Sequence, residues 1–166
     1  LHQHCGTCDV LIQRDFHAEN LIWLPERSGV AQVGLLDFQD ARTGHPAYDL
    51  VSLLKDARRD VSPHLEQQII AYYVEKTGSN QAEFEASYQV LGVQRNLRIL
   101  GVFARLSMMY NKPSYVDLIP RVWGHLQDGL RHPALASVAP LVQKLPAPTP
   151  ENLQKLKDQA GCAPRL

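Results

Sequence analysis

The chain lacks the features that mark several classes of protein. Its 17 basic and 17 acidic residues cancel, so no excess of positive charge indicates binding to nucleic acid or to an anionic membrane. No apolar run reaches the roughly 18 residues that a membrane-spanning helix needs, and no signal peptide is visible. We therefore expect a cytoplasmic protein with neither nucleic acid nor membrane as a partner, whereas its oligomeric state stays open.

Cysteine is also scarce, since the chain holds three: Cys5, Cys8 and Cys162. Cys5 and Cys8 belong to the segment His2-Gln3-His4-Cys5-Gly6-Thr7-Cys8. A zinc site needs a second pair of ligands at a defined spacing, and a thioredoxin-like pair follows a strand in a βαβ unit. Neither context is present in the sequence, so we favour reduced thiols over a metal or redox site.

Short apolar runs rich in β-forming residues alternate with polar loops between residues 10 and 40. The predicted strands are residues 10–12, 21–24 and 30–36, with a polar turn before the last of them. Each strand leads into a loop that holds polar side chains. The segment is therefore built to place Asp15, Asn20 and Asp37 close together.

These three residues have the spacing that phosphoryl transfer requires. Protein kinases carry a base in H-R-D-x-x-x-x-N, a metal-binding Asn at its end, and a metal-binding Asp in D-F-G. Here Arg14-Asp15 precedes Asn20 by the same gap, and Asp37-Phe38-Gln39 takes the place of D-F-G. Taken singly they read as a loop carboxylate, a turn Asn and a capping Asp. Together they predict Asp15 as the catalytic base and Asn20 and Asp37 as ligands of Mg²⁺, with ATP as the phosphoryl donor.

These motifs resemble the catalytic half of the aminoglycoside phosphotransferase family, which has a protein-kinase-like fold. Within that family the chain is most similar to bacterial N-acetylmuramate/N-acetylglucosamine anomeric kinases, over residues 10–135. The matching segments are residues 14–21, 34–41, 44–54, 56–61, 94–101 and 103–106. The resemblance implies ATP-dependent phosphorylation of a sugar, at the anomeric hydroxyl of N-acetylmuramate or N-acetylglucosamine, in peptidoglycan recycling.

The resemblance also assigns supporting roles around the catalytic loop. It implies that His17 braces this loop by hydrogen bonds and that Asp49 anchors it through backbone N–H groups. Gln39 replaces the Gly of D-F-G at a position that varies among small-molecule kinases. Asp40 is a further carboxylate on the metal loop, and the sequence leaves open whether it supports the metal or is simply solvated.

A kinase of this fold has an N-terminal lobe with a Gly-rich loop and a strand Lys that contact the phosphates. Only fourteen residues precede Asp15, and the first is Leu1. We therefore expect an α+β fold that is the C-terminal lobe of a longer protein, mostly helical with a small β-hairpin carrying the catalytic and metal loops. Residues 1–145 form the predicted lobe, and residues 146–166 form a proline-rich linker and tail, either a weak surface helix or disordered.

The pattern turns helical after residue 47. The predicted helices cover residues 48–59, 63–76, 81–109, 115–131 and 133–145. Ser62-Pro63 predicts a helix start and Gly78 a helix stop. Arg58 and Arg59 stand at the end of the first predicted helix, where cations suit the helix dipole.

Four polar residues are candidate substrate ligands: Arg58, Arg59, Arg95 and Asn96. Guanidinium groups bind carboxylate and phosphate through paired hydrogen bonds. Two rival functions stay open at this point. One is an aminoglycoside or choline-type kinase, and the other is a stand-alone C-terminal lobe that binds a partner or a sugar without catalysis.

Overall fold

The structure, a computed structural model, describes residues 4–5 and 8–164. Its strands are β1 (Val10–Ile12), β2 (Leu21–Trp23), β3 (Val33–Leu35) and β4 (Arg42–Gly44). Its α-helices are α1 (Ala47–Leu54), α2 (Pro63–Thr77), α3 (Gln81–Tyr110), α4 (Ile119–Gly129), α5 (Ala139–Val142) and α6 (Pro150–Asp158). The predicted α+β class with mostly helical content is confirmed. None of the described helices combines the length and apolar character that crossing a membrane requires.

The strands form two separate antiparallel pairs rather than one hairpin. β2 and β3 pair as the predicted hairpin, with Ile22 opposite Gly34. β1 pairs with β4, with Leu11 opposite Thr43. Strand β4 was not predicted, because a glycine at position 44 indicates an interruption of regular structure rather than a strand. The glycine is needed for packing, since a Cβ atom at position 44 would overlap the side chain of Ile12.

The contacts divide the described chain into two compact units. The first unit contains residues 4–5, 8–56 and 60–91, and the second contains residues 57–59 and 92–164. The core of the first unit is formed by apolar side chains of α1, α2 and the start of α3. Its buried members are Ala47, Val51, Leu54, Ile70, Val74, Phe84 and Tyr88.

Both ends of α2 follow the predicted signals, and Asn80 caps the start of α3. Ser62 caps α2 by accepting the Leu65 backbone N–H at 3.2 Å, and Pro63 is its first residue. Gly78 ends it with a φ of 66°, a left-handed conformation that favours glycine. Asn80 Oδ1 accepts the Glu83 backbone N–H at 3.1 Å at the start of α3.

Helix α1 is shorter than predicted, and this corrects the placement of Arg58 and Arg59. It ends at Leu54, and Lys55 leaves the helical conformation with φ −110° and ψ 37°. The periodicity of the sequence continues beyond Leu54, but Ala57 packs into the core of the second unit. Arg58 and Arg59 therefore follow α1 in an exposed turn, and the helix dipole does not account for them.

Two of the later predicted helices are interrupted in the second unit. Residues 113–118 form a 3₁₀-helix before α4, and residues 133–135 form another before α5. Pro120 and Pro140 lie in the first turns of α4 and α5. Proline is tolerated there but has no N–H to continue a preceding helix, which explains both interruptions.

Helix α6 belongs to the second unit and packs against its core. Thr149 caps the helix by accepting the Asn152 backbone N–H at 3.3 Å. Leu153 and Leu156 pack against the buried cluster around Phe103. The buried Ser107 hydroxyl donates to the Leu156 carbonyl at 2.9 Å. The sequence left open whether the tail forms a weak surface helix or is disordered. The structure has a helix there, at Pro150–Asp158.

A buried polar group links the helices of the first unit. Lys55 Nζ lies 2.8 Å from Glu66 Oε1, and the Tyr88 hydroxyl donates to the same oxygen at 3.1 Å. Tyr88 is fully buried. Burial raises the pKa of Tyr88, and the Glu66 carboxylate raises it further, so this hydroxyl remains a hydrogen-bond donor at neutral pH.

Replacing Tyr88 by Phe should lower the free energy of unfolding by about 1.5 to 3 kcal/mol, because it removes one hydrogen bond to a largely buried carboxylate. Chemical denaturation measures this loss. Tyr72→Phe is the matched control, because the Tyr72 ring is exposed on α2 and should change stability little. Equal stability of the two variants would contradict a structural role for the Tyr88 hydroxyl.

Candidate active site

The loop after β1 is held by the carboxylate of Asp49 on α1. Asp49 Oδ2 accepts the Gln13 backbone N–H at 2.7 Å, and Oδ1 accepts the Arg14 backbone N–H at 3.0 Å. Arg14 has a φ of 73°, a left-handed conformation that costs about 1 to 2 kcal/mol for a residue with a side chain. A hydrogen bond to a charged group contributes about 1.5 to 3 kcal/mol, so the two bonds from Asp49 offset this strain.

Asp15 follows this turn directly, and its side chain is exposed. Its backbone carbonyl accepts hydrogen bonds from Asn20 Nδ2 at 2.9 Å and from the His17 backbone N–H at 3.1 Å. These bonds hold the backbone of Asp15 and leave its carboxylate oxygens available to a substrate. A carboxylate in this position can accept the proton of an attacking hydroxyl.

His17 and Asn20 contact each other within the same loop. Asn20 Nδ2 lies 3.4 Å from His17 Nε2. Because an amide nitrogen only donates, Nε2 of His17 accepts in this contact. The other ring nitrogen, Nδ1, lies 4.0 Å from Glu19 Oε2. The same amide nitrogen donates to the Asp15 carbonyl. The two contacts fix the orientation of the Asn20 amide and leave its Oδ1 as an oxygen that could bind a cation.

Asp37 is brought next to Asn20 by the β2–β3 hairpin. The Leu36 backbone N–H donates to the Asn20 carbonyl at 2.9 Å, and Gln13 Nε2 donates to the Leu36 carbonyl at 2.5 Å. Asp37 has a φ of 56°, a conformation that Asp tolerates better than most residues. Its Oδ1 accepts a hydrogen bond from Gln39 Nε2 at 2.6 Å.

The oxygen donors of Asn20 and Asp37 fit a hard cation. Mg²⁺ is usually held by one or two protein oxygen ligands together with substrate phosphates and water.

Among residues 4–5 and 8–164 there is no cluster of three or more His, Cys, Asp or Glu side chains placed to bind a metal. The thiols of Cys5, Cys8 and Cys162 are free, and residues 2, 3, 6 and 7 of the first cysteine segment lie outside the described residues.

The predicted site residues separate into two groups. Asp15, His17, Asn20, Asp37 and Asp49 all lie in the first unit and are connected by the hydrogen bonds described above. The candidate substrate ligands Arg58, Arg59, Arg95 and Asn96 belong to the second unit. Arg58 and Arg59 are exposed. Arg95 is partly buried, and Asn96 is 1 % exposed.

Ser52 makes a further contact to the loop before Asp15, and this contact was not predicted. Its hydroxyl donates to the Arg14 carbonyl at 3.4 Å. Ser52 lies three residues after Asp49 on α1, and residues at this spacing share one face of a helix. That spacing was the available signal, because the face that presents Asp49 to the loop also presents Ser52.

The segment that holds these loops matches a known protein family. Residues 9–84 match the phosphotransferase enzyme family. This segment belongs to that family. It contains both strand pairs, α1, α2 and every residue of the hydrogen-bonded group around Asp15, so the predicted resemblance is confirmed over the candidate site.

Curated relatives extend the similarity beyond this phosphotransferase segment. The chain is 51% identical over 130 residues to the N-acetylmuramate/N-acetylglucosamine kinase of Caulobacter vibrioides, which covers 78% of this chain and 36% of that protein. It is 37% identical to the protein of the same name from Neisseria meningitidis, over 80% of this chain and 40% of the relative. The Pseudomonas putida protein of that name is 33% identical, over 83% and 42%. The chain thus spans about two fifths of the length of these relatives.

Replacing Asp49 by Ala should loosen the loop before Asp15 in this phosphotransferase segment. We expect a loss of about 1.5 to 3 kcal/mol in the free energy of unfolding for each of the two hydrogen bonds removed, and faster hydrogen exchange at the amides of Gln13 and Arg14. Mass spectrometry of deuterium uptake measures the exchange. Glu75→Ala on the exposed side of α2 is the control. Unchanged protection of both amides in the Asp49 variant would contradict the anchoring role.

The start of α1 should make stability depend on pH. His45 Nδ1 accepts the Ala47 backbone N–H at 3.1 Å, and burial lowers the pKa of His45 although Asp9 opposes this shift. A lowered pKa in the folded state means that the unfolded chain binds the proton more readily. This contribution is therefore complete above the ordinary histidine pKa of about 6.5 and is lost as the pH falls below it.

We expect the melting temperature to fall more between pH 7 and pH 5 in the wild type than in His45→Asn. The Asn side-chain oxygen can accept the same N–H without titrating. Calorimetry at several pH values compares the two slopes. Parallel slopes would show that His45 does not carry this dependence.

Proposed function

We propose that this chain is the C-terminal, catalytic lobe of a kinase that transfers the γ-phosphoryl group of ATP to a sugar hydroxyl. The observation that carries the proposal is the hydrogen-bonded arrangement of Asp15, Asn20 and Asp37 on loops that Asp49 and the hairpin hold. The family match over the same residues and the kinase names of the relatives support it. A cytoplasmic site of action is part of this proposal.

Each polar residue of the loop has a distinct role in this proposal. The Asp15 carboxylate orients the acceptor hydroxyl and receives its proton as the new bond forms. His17 keeps the Asn20 amide in place. Asp49 and Ser52 hold the backbone before Asp15, so that the carboxylate is positioned before the substrate arrives.

Asn20 Oδ1 and the Asp37 carboxylate are the residues that would hold Mg²⁺. Bound Mg-ATP supplies the phosphoryl group and neutralises the charge on its phosphates. The protein's part is to present an amide oxygen and a carboxylate oxygen from adjacent positions of the hairpin, which are donors that Mg²⁺ prefers.

We infer that the acceptor is the anomeric hydroxyl of N-acetylmuramate or N-acetylglucosamine, and that the product is a sugar 1-phosphate for peptidoglycan recycling. The names of the relatives support this acceptor class. Arg58, Arg59, Arg95 and Asn96 are the candidate ligands for the sugar. A guanidinium group among them would suit the carboxylate that distinguishes N-acetylmuramate from N-acetylglucosamine.

An acceptor panel tests this function in the complete gene product that contains the chain. N-acetylmuramate, N-acetylglucosamine, choline and aminoglycosides are each offered with Mg-ATP, and ³¹P NMR identifies the product. We expect phosphate on the anomeric oxygen of the two sugars. Phosphorylation of only choline or only an aminoglycoside would show that the two N-acetyl sugars are not the acceptors. Binding of ATP or sugar without turnover would favour a binding module.

Replacing Asp15 by Asn should lower kcat by about two to four orders of magnitude, the usual contribution of a general base. ATP affinity should change little, because the roles assigned to Asp15 concern the acceptor. Steady-state kinetics and calorimetric titration of ATP measure the two quantities. Glu75→Gln, at an exposed position of α2, is the control. Near-normal turnover in the Asp15 variant would show that Asp15 is not the base.

A further inference from the structure

Gln39 is the residue at which this chain departs from D-F-G, and its side chain contacts the predicted metal ligand. Gln39 Nε2 donates to Asp37 Oδ1 at 2.6 Å. The Ala41 backbone N–H donates to the Phe38 carbonyl at 3.0 Å. This bond closes a four-residue turn with Gln39 and Asp40 as its central residues, so the backbone that carries the amide is held.

The hydrogen bond leaves the two oxygens of Asp37 unequal. Oδ1 is engaged by an amide donor, whereas Oδ2 remains available. Glycine at position 39 would have no side chain to make this distinction. Because a free carboxylate can rotate and can offer both oxygens at once, the contact decides how Asp37 presents itself to a cation.

The neighbouring carboxylate is engaged differently. Asp40 Oδ2 lies 3.9 Å from Arg14 Nη1, and Arg14 belongs to the turn that Asp49 holds. A guanidinium group at this distance reduces the negative charge that Asp40 offers to a metal. Of the two carboxylates on this loop, Asp40 is the one paired with a guanidinium group, which makes it the weaker candidate ligand for a cation.

We propose that Gln39 is a positioning residue that makes Asp37 a single-oxygen ligand and thereby favours Mg²⁺ over Ca²⁺. Mg²⁺ requires near-octahedral geometry with short bonds, whereas Ca²⁺ accepts two oxygens of one carboxylate and a larger, flexible shell. Engaging Oδ1 disfavours the two-oxygen mode. This inference rests on the proposed function, since that function assigns Asp37 to the metal.

The test compares metal affinities of the complete protein with a non-hydrolysable ATP analogue bound. Mn²⁺ serves as a paramagnetic probe, and its displacement by Mg²⁺ and by Ca²⁺ is followed by electron paramagnetic resonance. The variants are Gln39→Leu, which removes the donor at similar size, and Gln67→Leu, a matched change at an exposed position of α2. Asp37→Asn reports on the metal assignment itself.

Gln39→Leu should weaken Mg²⁺ binding about three- to tenfold, the range expected for loss of one ordinary hydrogen bond. Ca²⁺ binding should weaken less, so the preference for Mg²⁺ falls. Gln67→Leu should match the wild type. If Gln39→Leu is unstable by thermal melting, Gln39→Ala must change the preference in the same direction.

The outcomes separate the two levels of the proposal. Weaker Mn²⁺ binding in Asp37→Asn with an unchanged Mg²⁺ preference in both Gln39 variants would overturn the role of Gln39 and leave the proposed function intact. Unchanged Mn²⁺ binding in Asp37→Asn would overturn the metal assignment of Asp37, and the role of Gln39 with it.

Discussion

The two hydrogen bonds from the Asp49 carboxylate to the backbone before Asp15 are the interaction on which the candidate site depends. They hold Arg14 in a left-handed conformation that the chain would otherwise avoid, and they do so from a helix that is packed in a core. Strain of this kind persists only where the surroundings enforce it. Here the enforced turn is the one that exposes the Asp15 carboxylate directly after a strand.

Short hydrogen bonds, most of them to backbone atoms, connect that turn to Asn20 and to the residue before Asp37. The carbonyl of Asp15 holds the Asn20 amide, the carbonyl of Asn20 holds the Leu36 N–H, and Asp37 follows. The candidate base and the two candidate metal ligands are thus placed by hydrogen bonds that leave the Asp15 carboxylate and Asn20 Oδ1 unengaged. Such preorganisation is what phosphoryl transfer demands of a protein, because the reaction needs positioning and charge neutralisation more than covalent participation.

The sequence could predict those parts of the structure that local chemistry determines. The gap from Asp15 to Asn20 and the ends of α2 were readable because each depends on residues a few positions apart. The end of α1 and strand β4 were not, since the first depends on the burial of Ala57 and the second on a strand more than thirty residues away. Asp49 was assigned through family resemblance rather than spacing, because its partners are 35 and 36 residues distant. Arg58, Arg59, Arg95 and Asn96 stay predictions, because their role depends on a bound sugar.

A double-mutant cycle on kcat in the complete protein tests the central claim most directly, which is that Asp49 acts by positioning the loop of Asp15. The enzymes compared are the wild type, Asp15→Asn, Asp49→Ala and the double variant. If Asp49 acts through Asp15, the double variant should be hardly slower than Asp15→Asn alone, because residues that act as a unit are not additive. Losses that multiply in the double variant would show that Asp49 contributes independently, and would contradict the account.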